Sequence, residues 1–132
     1  MTKYDDSDWH VGDAKNEIYA AVHIALMFCW LLNNGYVKQS FLDEAHIDIP
    51  LSQKRTPTEY LYYYADGKLF DDFLTENGKK LCDAYYEKYM ADYAERNIKG
   101  VKYARLGDSP YAGKDKWKNV RVLDSYFAKI IH

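Results

Sequence analysis

Residues 18–32 limit most strongly what this chain can fold into. They read Ile-Tyr-Ala-Ala-Val-His-Ile-Ala-Leu-Met-Phe-Cys-Trp-Leu-Leu, broken by His23. The segment is shorter than the ~18 apolar residues that a membrane span needs. A helix that is apolar on nearly every side must be covered by other elements, so the pattern predicts a buried central helix. Asp13 is placed to cap it and Asn33-Asn34-Gly35 to stop it, which gives a helix over 14–34.

The rest of the chain supplies the cover. Phe41, Leu42, Ala45 and His46 form one face of a short helix predicted over 38–47, which Pro50 ends. Thr56-Pro57-Thr58-Glu59 reads as a capping box with proline in the first turn, starting a helix that stops at Asp66-Gly67. A long helix is expected over 76–97, with Leu81, Tyr85, Tyr89 and Tyr93 as its seam. Residues 98–114 carry Gly100, Gly107, Pro110 and Gly113 and read as turns, with 101–106 or 111–114 as a short extended piece. Asp115 is expected to cap a last helix over 116–130, whose Trp117, Val120, Leu123, Phe127 and Ile130 follow helical spacing. Residues 1–12 show no helical or alternating pattern, and something else must order them. The expectation is a mainly α, single compact domain over residues 1–132, with about five helices and one short extended segment near the C-terminal third.

Tyrosine is the unusual ingredient of that core. Fourteen tyrosines stand against five phenylalanines and three tryptophans, so buried rings carry hydroxyls that each need a partner. Tyr85, Tyr89 and Tyr93 share a helical stripe and read as packing. Tyr60, Tyr62, Tyr63 and Tyr64 cannot all point inward from one helix, so at least one faces outward, where tyrosine suits a protein interface.

Charge is distributed unevenly. Residues 1–97 hold ten Lys/Arg against seventeen Asp/Glu, and residues 98–132 hold eight against three, within an overall charge of −2. That total gives no support for attraction to nucleic acid or to an anionic membrane. Two readings follow: the charges pair across the fold, or the acidic part forms a functional face. Cys29 and Cys82 lie among apolar neighbours and read as small buried hydrophobes. With no basic, apolar leader at the N-terminus, the expected compartment is the cytoplasm.

A search for chemistry returns little. His10, His23, His46 and His132 include no pair spaced for one helix face and no zincin motif, so no metal site is expected. The acidic lead Asp5, Asp6, Asp8 and His10 lacks the glycine and terminal glutamate of a calcium loop. Ser7, Ser40, Ser52, Ser109 and Ser125 form no nucleophile elbow, and the glycines form no nucleotide fingerprint, so no cofactor is expected. His23 has two readings. It is a core histidine satisfied by a tyrosine hydroxyl or a carbonyl, or it joins His10 and Asp8 in a pocket with Trp9, Tyr64 and Asp66.

Several stretches together carry a resemblance: Lys3-Tyr4-Asp5-Asp6 with Trp9-His10, His23-Ile24, Trp30 and Asn34-Gly35. Thr56-Pro57, Tyr64 with Asp66-Gly67-Lys68-Leu69, and Asp115 with Trp117-Lys118-Asn119 continue it. In order and across nearly the whole chain, the series resembles a family of small bacterial proteins of unknown function, similar in size and type to toxin immunity proteins. The resemblance implies a binding protein rather than an enzyme, one that neutralises a basic toxin such as a nuclease. It transfers no catalytic residue. Tyr62, Tyr63, Asp71 and Asp72 are the expected partner-binding positions, since acidic charge speeds encounter with a basic protein and aromatic anchors hold it. A small enzyme or ligand-binding domain with a pocket around His10 and His23 is the alternative, and a homodimer through the tyrosine seam is compatible with both.

Overall fold

The structure is a computed structural model that describes residues 2–14, 17–104 and 109–131, and all of their side chains except those of Asp13 and Glu17. The cap expected from Asp13, and the far end of the 101–106 segment, therefore lie outside the described residues. In chain order the elements are strand β1 (Lys3–Asp6), helices α1 (Val11–Ala14), α2 (Glu17–Asn33), α3 (Gln39–Glu44) and α4 (Pro57–Ala65), strand β2 (Lys68–Phe70), and helices α5 (Glu76–Ala94) and α6 (Trp117–Ile130). The mainly α expectation holds: among the described residues, five helices of six residues or more surround a core, with one small two-stranded sheet beside them.

The central helix is where the apolar run placed it. Every residue from Ala20 to Leu32 is buried in α2, which packs most extensively against α4 and α6. No described helix is long and apolar enough to cross a membrane. Polar ties fix its neighbours. The Trp30 indole donates to Asp124 of α6 at 2.8 Å, and the Tyr89 hydroxyl of α5 donates to the His23 carbonyl at 2.5 Å. Other buried hydroxyls are similarly satisfied: Tyr86 by Asp5, Tyr93 by the Tyr111 carbonyl and Tyr60 by Ser52.

Three local readings need correction. Asp115 does not cap α6; its carboxylate accepts from the amide and the hydroxyl of buried Thr58, and so satisfies a first-turn amide of α4 that has no partner within its own helix. The inner seam of α5 runs through Cys82, Tyr86, Tyr89 and Tyr93, with Tyr85 only half-buried. A strict four-residue step advances 40° beyond a full turn each time, whereas mixed steps of three and four stay on one face. The acidic lead, which had no predicted structure, forms β1 and a 3-10 turn at Ser7–Trp9. Aspartate is a poor strand former, so pairing with β2 overrides local preference there.

Candidate functional site

The N-terminal segment carries its side chains to the core through the sheet. β1 runs antiparallel to β2, with Lys3 opposite Phe70, Asp5 opposite Leu69 and Asp6 opposite Lys68, so the register slips between Lys3 and Asp5. Such a bulge re-aims the side chains around it. Tyr4 reaches Asp83 of α5 with its hydroxyl at 2.5 Å, while Asp5 and Asp6 are both buried. Asp6 then caps the 3-10 turn by accepting from the Asp8 amide, and the Ser7 amide donates to the Gly67 carbonyl. Gly67 has φ +76°, and a Cβ there would sit 2.6 Å from the Ser7 hydroxyl and 2.9 Å from the Tyr62 ring. Glycine is required both for the left-handed turn and for this close approach.

The turn swings His10 back over Asp5. Its Nε2 lies 2.5 Å from Asp5 Oδ1, and His23 Nε2 of α2 lies 2.8 Å from Asp5 Oδ2. Tyr86 of α5 donates its hydroxyl to the same Oδ2 at 2.6 Å, and the Asp6 amide donates to Oδ1 at 2.8 Å. The imidazoles meet edge to face at 4.6 Å, under the Tyr111 ring, which is 4.8 Å from His10 and 5.0 Å from His23. Side-chain exposure is 1% for Asp5, 0% for His23 and 10% for His10, so His10 is the member that meets solvent.

Burial pushes the Asp5 carboxyl up, but the hydrogen bonds from His10, His23 and Tyr86 outweigh it and hold the group well below the usual carboxylate range. Burial also pushes His23 down, against the opposing pull of Asp5, and the net shift is downward. The site is therefore an ionised carboxylate facing a neutral His23 that donates from Nε2. His23 Nδ1 is then buried with no hydrogen-bond partner. Burial and the Asp5 charge push the Tyr86 hydroxyl well above its ordinary value, so Tyr86 stays a donor.

The structure separates the residues expected to share a pocket. His10 and His23 come together, but around Asp5 rather than Asp8. Trp9 points outward at 57% exposure, beneath the Lys3 ammonium. Tyr64 stacks on Tyr60 and lines a different cavity of about 140 Å³ with His46, Asp48 and Ser52. Asp66 is exposed at the C-terminus of α4 and pairs with Lys68. Among the expected partner-binding positions, Tyr62 is 39% and Tyr63 69% exposed, the latter under the Arg55 guanidinium. Asp72 is exposed, whereas Asp71 accepts from the Thr2 amide and lies 4.0 Å from Lys79.

Sequence reasoning missed Asp5 and Tyr86. The usable signal was His23 itself, since a polar break in an apolar helix demands a buried partner, but nothing in spacing selects Asp5 among the three acids of the lead. Metal sites were set aside because no two histidines share a helix face. Here Asp5, His10 and His23 converge from three elements, with donor atoms all within 4.8 Å of one another.

The residues of this cluster, together with Trp9, Tyr62 and Tyr63, all fall within the span matched by a known family. No curated protein and no solved structure matches the chain. The chain belongs to the family described as a domain of unknown function, DUF7832, which matches residues 3–104.

Proposed function

We propose that this chain is an immunity-type binding protein that neutralises a basic bacterial toxin in the cytoplasm. The observation that carries the proposal is the outward set of Tyr63, Trp9 and Tyr62 on two rigid, adjoining elements. α4 is fixed by a complete capping box at Thr56 and Glu59, and the Trp9 turn is fixed by the Asp5 cluster behind it. The two elements meet at Gly67, between the Ser7 hydroxyl and the Tyr62 ring. Large, preorganised aromatics bury much area at little entropic cost, which is what interface anchors need. Exposed Asp8 and Asp66 flank Lys68 on the same seam, while Lys3 lies over Trp9 and Arg55 over Tyr63, so the rim around the aromatics carries both signs of charge.

Co-expression with the toxin encoded beside it tests the reading. The intact chain should protect cells and co-purify with the toxin, and a folded Tyr62→Ala/Tyr63→Ala chain should protect poorly. Cells killed equally with and without the intact chain would remove the proposal's support.

The convergence of His10 and His23 on one carboxylate favours a second reading, a ligand-binding or enzymatic domain. It makes the opposite prediction: a folded His10→Ala chain would lose activity while the aromatic variant kept it.

A further inference from the structure

The Asp5 cluster has the composition of a metal site. Two imidazole nitrogens and one carboxylate suit divalent first-row transition ions. The set lacks the thiolates that favour softer ions and the several oxygens that Ca²⁺ or Mg²⁺ requires. We infer that Asp5, His10 and His23 bind one such ion, Zn²⁺ foremost because it imposes the least geometric demand of its own.

The donors already converge. Nε2 of His10 and of His23 face the two oxygens of one carboxylate at 2.5 and 2.8 Å. An ion bonded at about 2.0–2.2 Å to each donor holds neighbouring ligand atoms about 3 Å apart, so the two nitrogen-to-oxygen contacts need to open by tenths of an ångström while the donor atoms, all within 4.8 Å of one another, close on a common centre. Binding at Nε2 moves each imidazole proton to Nδ1. For His23 that transfer breaks no other hydrogen bond but leaves an N–H on the buried, unpartnered Nδ1, a cost that the metal bonds must exceed. A histidine recruited solely to fill the core would be expected to satisfy both nitrogens. This one commits its only polar contact to the shared carboxylate.

The surroundings support the ligands. Tyr86, donating to Asp5 Oδ2, acts as a positioning residue that fixes the carboxylate plane. The Tyr111 and Tyr93 rings pack on His23 and exclude water. Entry is past His10, the edge that solvent reaches. The bound ion would link β1, the turn before α1 and α2, and so fix the segment that presents Trp9.

The test uses the full chain, stripped by chelator and then titrated with Zn²⁺ in calorimetry, with metal content measured after dialysis. One equivalent should bind, and the midpoint of thermal unfolding should rise with free Zn²⁺. His10→Ala should weaken binding about 100-fold or more, and His46→Ala, which alters an exposed histidine elsewhere, should leave it unchanged. Proton NMR of the wild-type chain gives a second reading that needs no variant: Zn²⁺ should shift the ring signals of His10 and His23 and spare those of His46. No stoichiometric binding, full binding by His10→Ala, or shifts confined to His46 would each overturn the inference.

Discussion

Asp5 is the residue on which the N-terminal segment depends. Its two oxygens accept from His10, His23, Tyr86 and the Asp6 amide, so one buried carboxylate ties the lead to α2 and α5. Asparagine in its place would present an amide N–H to a histidine that also donates. Removing one partner from a buried, charged network typically costs about 3–5 kcal/mol. Asp5→Asn should therefore destabilise the chain by about 3 kcal/mol in urea unfolding, and a loss below about 0.5 kcal/mol would show that the cluster does not hold the segment. At the same scale, burial pushes the Cys29 thiol well above its ordinary value and that of Cys82 up to about 12. Both should resist alkylation in the native protein and react once it is unfolded; rapid native labelling of either would contradict their burial.

At the scale of elements, locally encoded features were legible and tertiary choices were not. The Thr56–Glu59 box forms as read, because both of its hydrogen bonds span three residues and need nothing from the rest of the chain. Asp115 could equally well cap its own helix by sequence, yet it binds Thr58, 57 residues away, because α4 and α6 flank the same central helix. Its replacement by alanine should thus affect the start of α4. The expected cost is about 1–3 kcal/mol, with faster amide exchange at Thr58 and Glu59 and little change within α6. The tyrosine excess was read correctly as a demand for hydroxyl partners, and Tyr62 and Tyr63 were rightly expected outside. Choosing Tyr85 rather than Tyr86 for the α5 seam, however, missed the hydroxyl that completes the Asp5 cluster.

Another tie joins α5 to α6. Asp92 accepts from Tyr126 at 2.6 Å and pairs with Lys88 at 2.8 Å. Partial burial raises the Asp92 carboxyl, but these bonds outweigh it and lower the group. A lowered folded value means that the stabilisation is fully present above the unfolded value of about 3.9 and is lost as pH falls through the folded one. Tyr126→Phe should cost about 1 kcal/mol at pH 7 and less below pH 4. A pH-independent difference would show that the hydrogen bond to Asp92 is not its source.

Across the whole molecule, no ion pair between described residues joins the basic part, 98–132, to the acidic part, 1–97. Between described residues every ion pair lies within the first 92 positions, and Lys99, Lys102, Lys114, Lys116, Lys118, Arg121 and Lys129 are exposed. The two described acids of that region, Asp115 and Asp124, are engaged by Thr58 and Trp30. Under the proposed function, the acidic excess of residues 1–97 would draw a basic partner to the part of the chain that carries Trp9, Tyr62 and Tyr63, with Lys3 over Trp9 and Arg55 over Tyr63 as the local cations. Association should accordingly slow with added salt, while dissociation responds chiefly to the aromatics. The most direct measurement is the affinity of the purified chain and of its folded Tyr62→Ala/Tyr63→Ala variant for the product of the neighbouring gene, the toxin under the proposed function. Loss of two interface anchors predicts a dissociation constant about 30-fold higher or more, whereas unchanged affinity in the folded variant would contradict the assignment of this seam as the binding face.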